Sequence, residues 1–338
     1  MTTTREGGRV DRGDAAVLEE VDAIVARLGR IRAAVGRVIF GQERVVEETL
    51  VTLIAGGHGL LVGVPGLAKT RLVETLAVVL GLDTRRIQFT PDLMPKDILG
   101  SEILEGSAEG RRAFRFLKGP VFCQLLMADE INRASPRTQS ALLQAMQERQ
   151  VSIAGQRYDV PVPFHVLATQ NPIEQEGTYP LPEAQLDRFL LEIDIDYPSA
   201  EAERQILLAT TGAEDVKAEP VTEASELLRA QRLVRLLPVG ESVLEAILSL
   251  TRGARPATAA LPEVERYVAW GPGPRASQAL TLAVRARALL DGRLSPSIDD
   301  VKALAAPVLR HRMALSYAAR ADGLTLASLI AMLTKKIG

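Results

Sequence analysis

Apolar positions along the chain switch between a helical period and a strand period, and the switches divide it into elements. Val17, Val21, Ile24, Val25 and Leu28 share one helical face after a polar, charged stretch from Met1 to Asp14. Val45, Val46, Thr49 and Leu53 form a second face behind Val38-Ile39-Phe40-Gly41-Gln42. Leu60-Leu61-Val62 reads as a short strand. The helix after it turns Leu72, Leu76, Val79 and Leu80 inward and is capped by Gly81. Arg86-Ile87-Gln88-Phe89-Thr90 is another short strand, and Pro91 and Pro95 break the segment after it. The run from Cys123 to Ala128 ends in Asp129-Glu130, as a strand buried on both faces would. Ser135 and Pro136 cap a helix with Ala141, Leu142, Ala145 and Met146 inward. Phe164 to Ala168 is a third apolar strand, and Ile193 and Ile195 alternate with Glu192, Asp194 and Asp196 in a last one. Hairpin patterns occupy 101–117, around Gly106 and Gly110, and 151–160, around Gly155.

Beyond Tyr197-Pro198 the pattern is purely helical, and Ser297 to Asp300 forms a capping box. Strands alternating with helices, then helices alone, predict an α/β domain with a parallel sheet followed by a smaller all-α lid. The expected division is a disordered tail over 1–20, a nucleotide-binding domain over 21–198 and a lid over 199–338.

Chemistry concentrates at strand ends. Gly63-Val64-Pro65-Gly66-Leu67-Ala68-Lys69-Thr70 lies between a strand and a helix, the layout of a P-loop. Backbone N–H groups there face a phosphate chain, Lys69 reaches the β- and γ-phosphates, and the Thr70 hydroxyl can ligate Mg²⁺. The methyl of Ala68 suggests ordinary right-handed helical geometry at that residue. Asp129 would hold Mg²⁺, directly or through its waters, and Glu130 would orient the attacking water. Asn171 ends the neighbouring strand, where an amide can hold that water or the γ-phosphate. Arg188 is a candidate arginine finger; its plainer reading is an ion pair with Asp187 or Glu183. Arg275 opens a lid helix, from which it could contact the γ-phosphate.

Composition narrows the classes. The 338 residues carry a net charge of −2 and only 4% aromatics, which weighs against a nucleic-acid surface. Arg111, Arg112, Arg115 and Lys118 are a solvated hairpin face or a partner contact. Cys123, the single cysteine, reads as a core residue and suits a reducing, cytoplasmic setting. No run has the length of a membrane span. His58, His165 and His311 share no metal-ligand spacing and read as structural.

With those residues in view, the chain resembles the MoxR family of AAA+ ATPases over about 23–338. The strings that carry the resemblance are the loop at 63–70, Arg86-Ile-Gln-Phe-Thr-Pro-Asp-Leu93 and Ala128-Asp-Glu-Ile-Asn-Arg-Ala134. Ala168-Thr-Gln-Asn-Pro172, Leu181-Pro-Glu-Ala-Gln-Leu-Asp-Arg-Phe189 and Gly271-Pro-Gly-Pro-Arg-Ala276 complete the set. The resemblance implies Walker A at 63–70, Walker B ending at Asp129-Glu130, sensor 1 at Asn171, an arginine finger at Arg188 and sensor 2 at Arg275. It implies ATP or ADP with Mg²⁺, held by Gly63, Pro65, Gly66, Leu67, Ala68, Lys69, Thr70 and Arg71, with Phe40-Gly41-Gln42 on the adenine side. The two hairpins correspond to the family's inserts. The resemblance further implies a homo-oligomeric ring, expected to be a hexamer, a von Willebrand factor A domain partner and client protein complexes. A nucleic-acid motor and a nucleotide-gated scaffold with negligible turnover are the competing readings; Glu130 and Arg188 favour hydrolysis over the scaffold.

Overall fold

The computed structural model describes residues 12–106, 112–174, 177–211 and 217–337. In chain order the strands of the first part are β1 (Gly59–Val62), β2 (Thr84–Gln88), β3 (Gly100–Gly106), β4 (Arg112–Lys118), β5 (Leu125–Asp129), β6 (Gln150–Ile153), β7 (Gln156–Asp159), β8 (His165–Gln170) and β9 (Leu191–Asp194). Five of them form one parallel sheet in the order β2-β5-β8-β1-β9. Side chains alternate across it. Leu61, Leu125, Met127 and Leu167 enter a core on one face, and Leu60, Leu126, Ala128, Val166 and Ala168 enter a core on the other. Each fully buried leucine contributes about 1.5–3 kcal/mol relative to exposure. Burial on both faces is why β5 and β8 read as unbroken apolar runs.

The helix after β1 spans Lys69–Leu80 and ends at Gly81, whose φ is +61°. The adjoining segment fixes glycine there, because a Cβ would lie 2.6 Å from the Thr222 carbonyl oxygen. The backbone N–H groups of Val221 and Thr222 both donate to Val79 O, at 3.0 and 3.2 Å. The lid chain is thereby tied to the end of the P-loop helix.

Both expected hairpins form, β3 with β4 and β6 with β7. They also meet: Phe116 stacks on Tyr158 with ring centroids 4.2 Å apart, and Phe122 packs edge-on against Phe116 at 5.6 Å. The lid contains helices Ala224–Leu236, Glu241–Gly253, Pro274–Leu290, Ile298–Leu309 and Leu326–Thr334. Leu227, Leu280 and Val308 share one core with Leu76, Leu167 and Ile193 of the sheet domain.

Two expectations need correction. The lid is not purely helical, because β10 (Val268–Trp270) pairs antiparallel with β11 (Ala314–Leu315). That pairing joins short segments far apart in the chain, which no local period reveals. The first helix begins at Arg12 and runs to Gly36, so 12–20 is not part of a disordered tail. Ala15, Ala16, Leu18, Glu19 and Glu20 are good helix formers, and the helix started by the apolar face extends outward through them. The rest of the expected tail lies outside the described residues. Among the described residues, no helix is long and apolar enough to cross a membrane.

On β9, Glu192 is half-buried, and burial pushes its carboxyl up to about 7, with Asp194 adding to the rise and Arg310 and Arg312 opposing it. The folded chain therefore keeps this proton up to about pH 7, whereas the unfolded chain releases it near 4.5. Stability contributed by the site is present below 4.5 and falls as pH rises through that window. Glu192→Gln should raise stability at about pH 8 by on the order of 3 kcal/mol and leave it nearly unchanged at about pH 4. Thermal unfolding at both pH values checks this; an equal shift at both would contradict it.

Candidate active site

The loop leaves the carboxyl end of β1, and Asp129 ends β5 two strands away. Carboxyl ends of parallel strands gather on one side, where ligands of such sheets bind. A cavity of about 420 Å³ lies there, lined by Pro65, Gly66, Ala68, Lys69, Thr70, Arg71, Asp129 and Glu130. Gly63 donates its N–H to Gln170 O at 3.2 Å, and a Cβ on it would stand 2.7 Å from Ile195 O. Lys69 donates through Nζ to Gly63 O at 2.5 Å and to Val64 O at 3.3 Å. Burial lowers its pKa, while Asp129 and Glu130 pull it up. Ala68 departs from expectation: its φ of 56° and ψ of 23° are left-handed. An L-residue costs about 1–2 kcal/mol in that conformation, and the turn that aims the loop's N–H groups at the helix start imposes it.

The acidic pair is held by residues the sequence did not single out. Asp129 is buried; its Oδ2 accepts from Arg86 Nη2 at 2.5 Å and its Oδ1 from the Thr169 hydroxyl at 2.7 Å. That hydroxyl also accepts the Glu130 N–H at 2.8 Å. Glu130 has φ 55°, so two non-glycine residues of this one cavity are left-handed, a strain that clusters at active sites. Its Oε2 accepts from Gln88 Nε2 at 2.7 Å and Arg133 Nη1 at 3.0 Å. Arg86 and Gln88 alternate on β2, which pairs Gln88 with Asp129, so both point at the acids. The alternation was visible in the sequence; the register was not.

The donor set fits a hard divalent cation. Thr70 and Asp129 bring a hydroxyl and a carboxylate to one cavity, and the Asp129 carboxylate already accepts a cationic guanidinium. Asn171 leads off β8, but its Oδ1 accepts the Ile173 N–H at 3.2 Å, and it does not line the cavity.

A second, more apolar cavity of about 140 Å³ adjoins the first and shares Gly66, Ala68 and Arg71 with it. Val38, Ile39, Phe40, Gln42, Leu67 and Pro198 line it, with Ile206 and Thr210 from the helix Ala200–Thr211. Gly41, at φ +65°, is packed directly against Ala202, which leaves no room for a side chain. Gln42 donates to Asp196 O at 3.0 Å. Ile206 and Thr210 are members the sequence reading missed; nothing short of tertiary packing places them beside Phe40.

Arg188 and Arg275 lie elsewhere. Both line a cavity of about 280 Å³ with Gly56, Gly57 and His58, the residues just before β1. This is the amino end of the sheet. A strand of four residues, such as β1, spans about 13 Å, so the two arginines face away from the loop and acids of their own chain. Arg275 Nη1 is 3.8 Å from Asp187 Oδ2, the residue before Arg188. Burial, and next the Arg275 charge, lower the pKa of Arg188, while Glu148 opposes. His165 and His311 are buried, His58 is half-buried, and all three are bonded to backbone: His58 Nδ1 accepts from Val166 N–H, His165 Nδ1–H donates to Gly57 O and His311 Nε2–H donates to Phe189 O. Among the described residues, no cluster of His, Cys, Asp and Glu forms a separate metal site.

Similarity to known proteins runs through the same segments. Residues 58–191 match the ATPase family associated with various cellular activities (AAA), and 262–331 match the AAA lid domain. The chaperone MoxR1 of Mycobacterium tuberculosis is 46% identical over 305 residues, covering 90% of this chain and 80% of that one. The protein MoxR of Paracoccus denitrificans is 34% identical over 308 residues, covering 86% and 89%. The crystal structure of a candidate ATPase from Cytophaga hutchinsonii matches with a TM-score of 0.88 and 37% identity over 96% of this chain and 98% of that one. With loop, acids and lid in one parallel α/β frame and relatives of this closeness along most of its length, the chain belongs to the MoxR family of AAA+ ATPases.

Proposed function

We propose that the protein hydrolyses ATP with Mg²⁺ at sites completed by a neighbouring copy, and that turnover drives chaperone-like remodelling or cofactor insertion in client protein complexes. The observation that carries the first half is the placement of Arg188 and Arg275 at the amino end of the sheet. There they line a different cavity from their own chain's phosphate-side residues, Arg275 exposed and Arg188 half-buried. Head-to-tail contacts of this kind bring unlike surfaces together and close into rings. The hexameric ring and the von Willebrand factor A domain partner come from the family resemblance. The client role draws on the name of the mycobacterial relative, a chaperone. In this reading 21–198 carries the nucleotide, 199–338 is the lid that presents Arg275, and the setting is cytoplasmic.

The chemistry assigned to the chain's residues follows from their places. Lys69 and the loop N–H groups hold the β- and γ-phosphates, and the apolar cavity beside Phe40 takes the base. When bound, Mg²⁺ supplies charge neutralisation at the phosphates, with Thr70 and Asp129 as its protein ligands. Glu130 orients and polarises the attacking water once its carboxylate leaves Gln88. For Asn171 the role at the same water or the γ-phosphate comes from the family resemblance, and it requires the amide to leave the Ile173 N–H. Arg188 of the adjacent subunit stabilises the charge that develops on the transferred phosphoryl group. Such a finger is worth about 10³–10⁵ in rate, or roughly 4–7 kcal/mol. The exposed basic positions of β4 do not favour a nucleic-acid motor, because Glu105 on β3 already pairs Arg115 at 2.9 Å.

Glu130→Gln should keep ATP binding and lose turnover by about 10²-fold or more, read by nucleotide binding and phosphate release. Unchanged turnover would remove Glu130 from its role. Lys69→Ala should abolish binding, and retained micromolar affinity in a fluorescent-nucleotide titration would count against the loop. Arg188→Ala should be inactive alone, yet regain turnover when mixed with Glu130→Gln subunits, because some interfaces then hold an intact pair. A mixture no more active than its components would argue that Arg188 serves its own chain.

A further inference from the structure

Arg312 is only 2% exposed. It sits in the short turn Arg310–Arg312 at the end of the lid helix Ile298–Leu309. A guanidinium carries five N–H donors, and here five bonds use them. Nε donates to Asp187 Oδ1 at 2.7 Å. Nη2 donates to Asp187 O at 3.3 Å and Phe189 O at 2.6 Å. Nη1 donates to Leu190 O at 3.1 Å and Val308 O at 2.7 Å. Four of the five acceptors belong to Asp187, Phe189 and Leu190, the residues on either side of Arg188. The other Asp187 oxygen faces Arg275. One lid side chain thus grips the backbone around the first arginine and orients the carboxylate beneath the second.

A bond to a single carbonyl would fasten the lid; this arrangement fixes a whole turn. A buried ion pair is weak evidence for stability by itself, since well-packed apolar residues of similar volume do as well. Lysine, with one point charge and three donors, cannot reproduce the fork. The geometry points to Arg312 and Asp187 as positioning residues that set how Arg188 and Arg275 are offered to the neighbouring copy's nucleotide, so that the lid of one subunit governs hydrolysis in the next. This rests on the reading that Arg188 acts across the interface.

The test uses the full-length assembled protein with Arg312→Lys and Asp187→Asn, read by kcat, KM, fluorescent-nucleotide affinity and subunit mixing. The expected result is a fall in kcat of about tenfold or more with nucleotide affinity within about twofold of wild type. Mixing either variant with Glu130→Gln subunits should restore turnover above the weighted mean, because the variant's intact phosphate site then meets a well-placed neighbouring arginine. Retained kcat or a mixture at the weighted mean would each overturn the inference. If Arg312→Lys fails to fold by circular dichroism, Asp187→Asn decides by the same measurements, because it keeps the side-chain shape and leaves four of the five Arg312 bonds. If Arg188→Ala itself keeps its turnover, the cross-subunit reading fails. If Arg188→Ala is rescued by mixing and the Arg312 and Asp187 variants are not, only the positioning role fails.

Discussion

A parallel sheet has two chemically different ends, and that polarity is the constraint on which the rest of this molecule depends. All five strands run the same way, so every strand delivers its carboxyl end to one side and receives its chain from the other. The side that collects carboxyl ends gathers the glycine-rich loop, Asp129 and Glu130. The opposite side gathers the approach to β1 and the approach to β9, and the second of these contains Arg188. Within a single copy the loop and acids therefore lie at one end of the sheet and Arg188 at the other.

How much the sequence made legible depends on the range of the physics involved. The loop, the helix behind it, the Gly81 cap and the acids at the end of β5 are local, written in period and spacing. The supports of the acids are not. Arg86, Gln88 and Thr169 reach Asp129 and Glu130 only because β2, β5 and β8 adopt one particular register, a relation between distant segments. The left-handed Ala68 was hidden for a related reason, since propensity favours a right-handed alanine and the surrounding turn overrides it. The pairing of Val268–Trp270 with Ala314–Leu315 is non-local in the same sense. At the start of the chain the error ran the other way, where charge suggested disorder and good helix formers continued the helix to Arg12.

The lid is less separate than its helical composition suggests. It shares one core with a face of the sheet, its chain bonds Val79 at the end of the P-loop helix, and Gln231 donates to Leu53 O and to His165 Nε2 at the amino end of the sheet. With Arg312, these contacts touch the P-loop helix and the segment around Arg188 at once. All of these contacts fasten the lid to the amino end of the sheet, where the P-loop helix finishes and β1, β8 and β9 begin.

The stacking of Phe116 on Tyr158 has a mechanical corollary. Each hairpin alone is a thin two-stranded ribbon with its own pivot, free to swing separately. Locked ring against ring, the pair becomes a single blade with two roots, one beside the loop that comes after β2 and one at the end of the helix Pro136–Glu148. Torsion about either root is then resisted by the other.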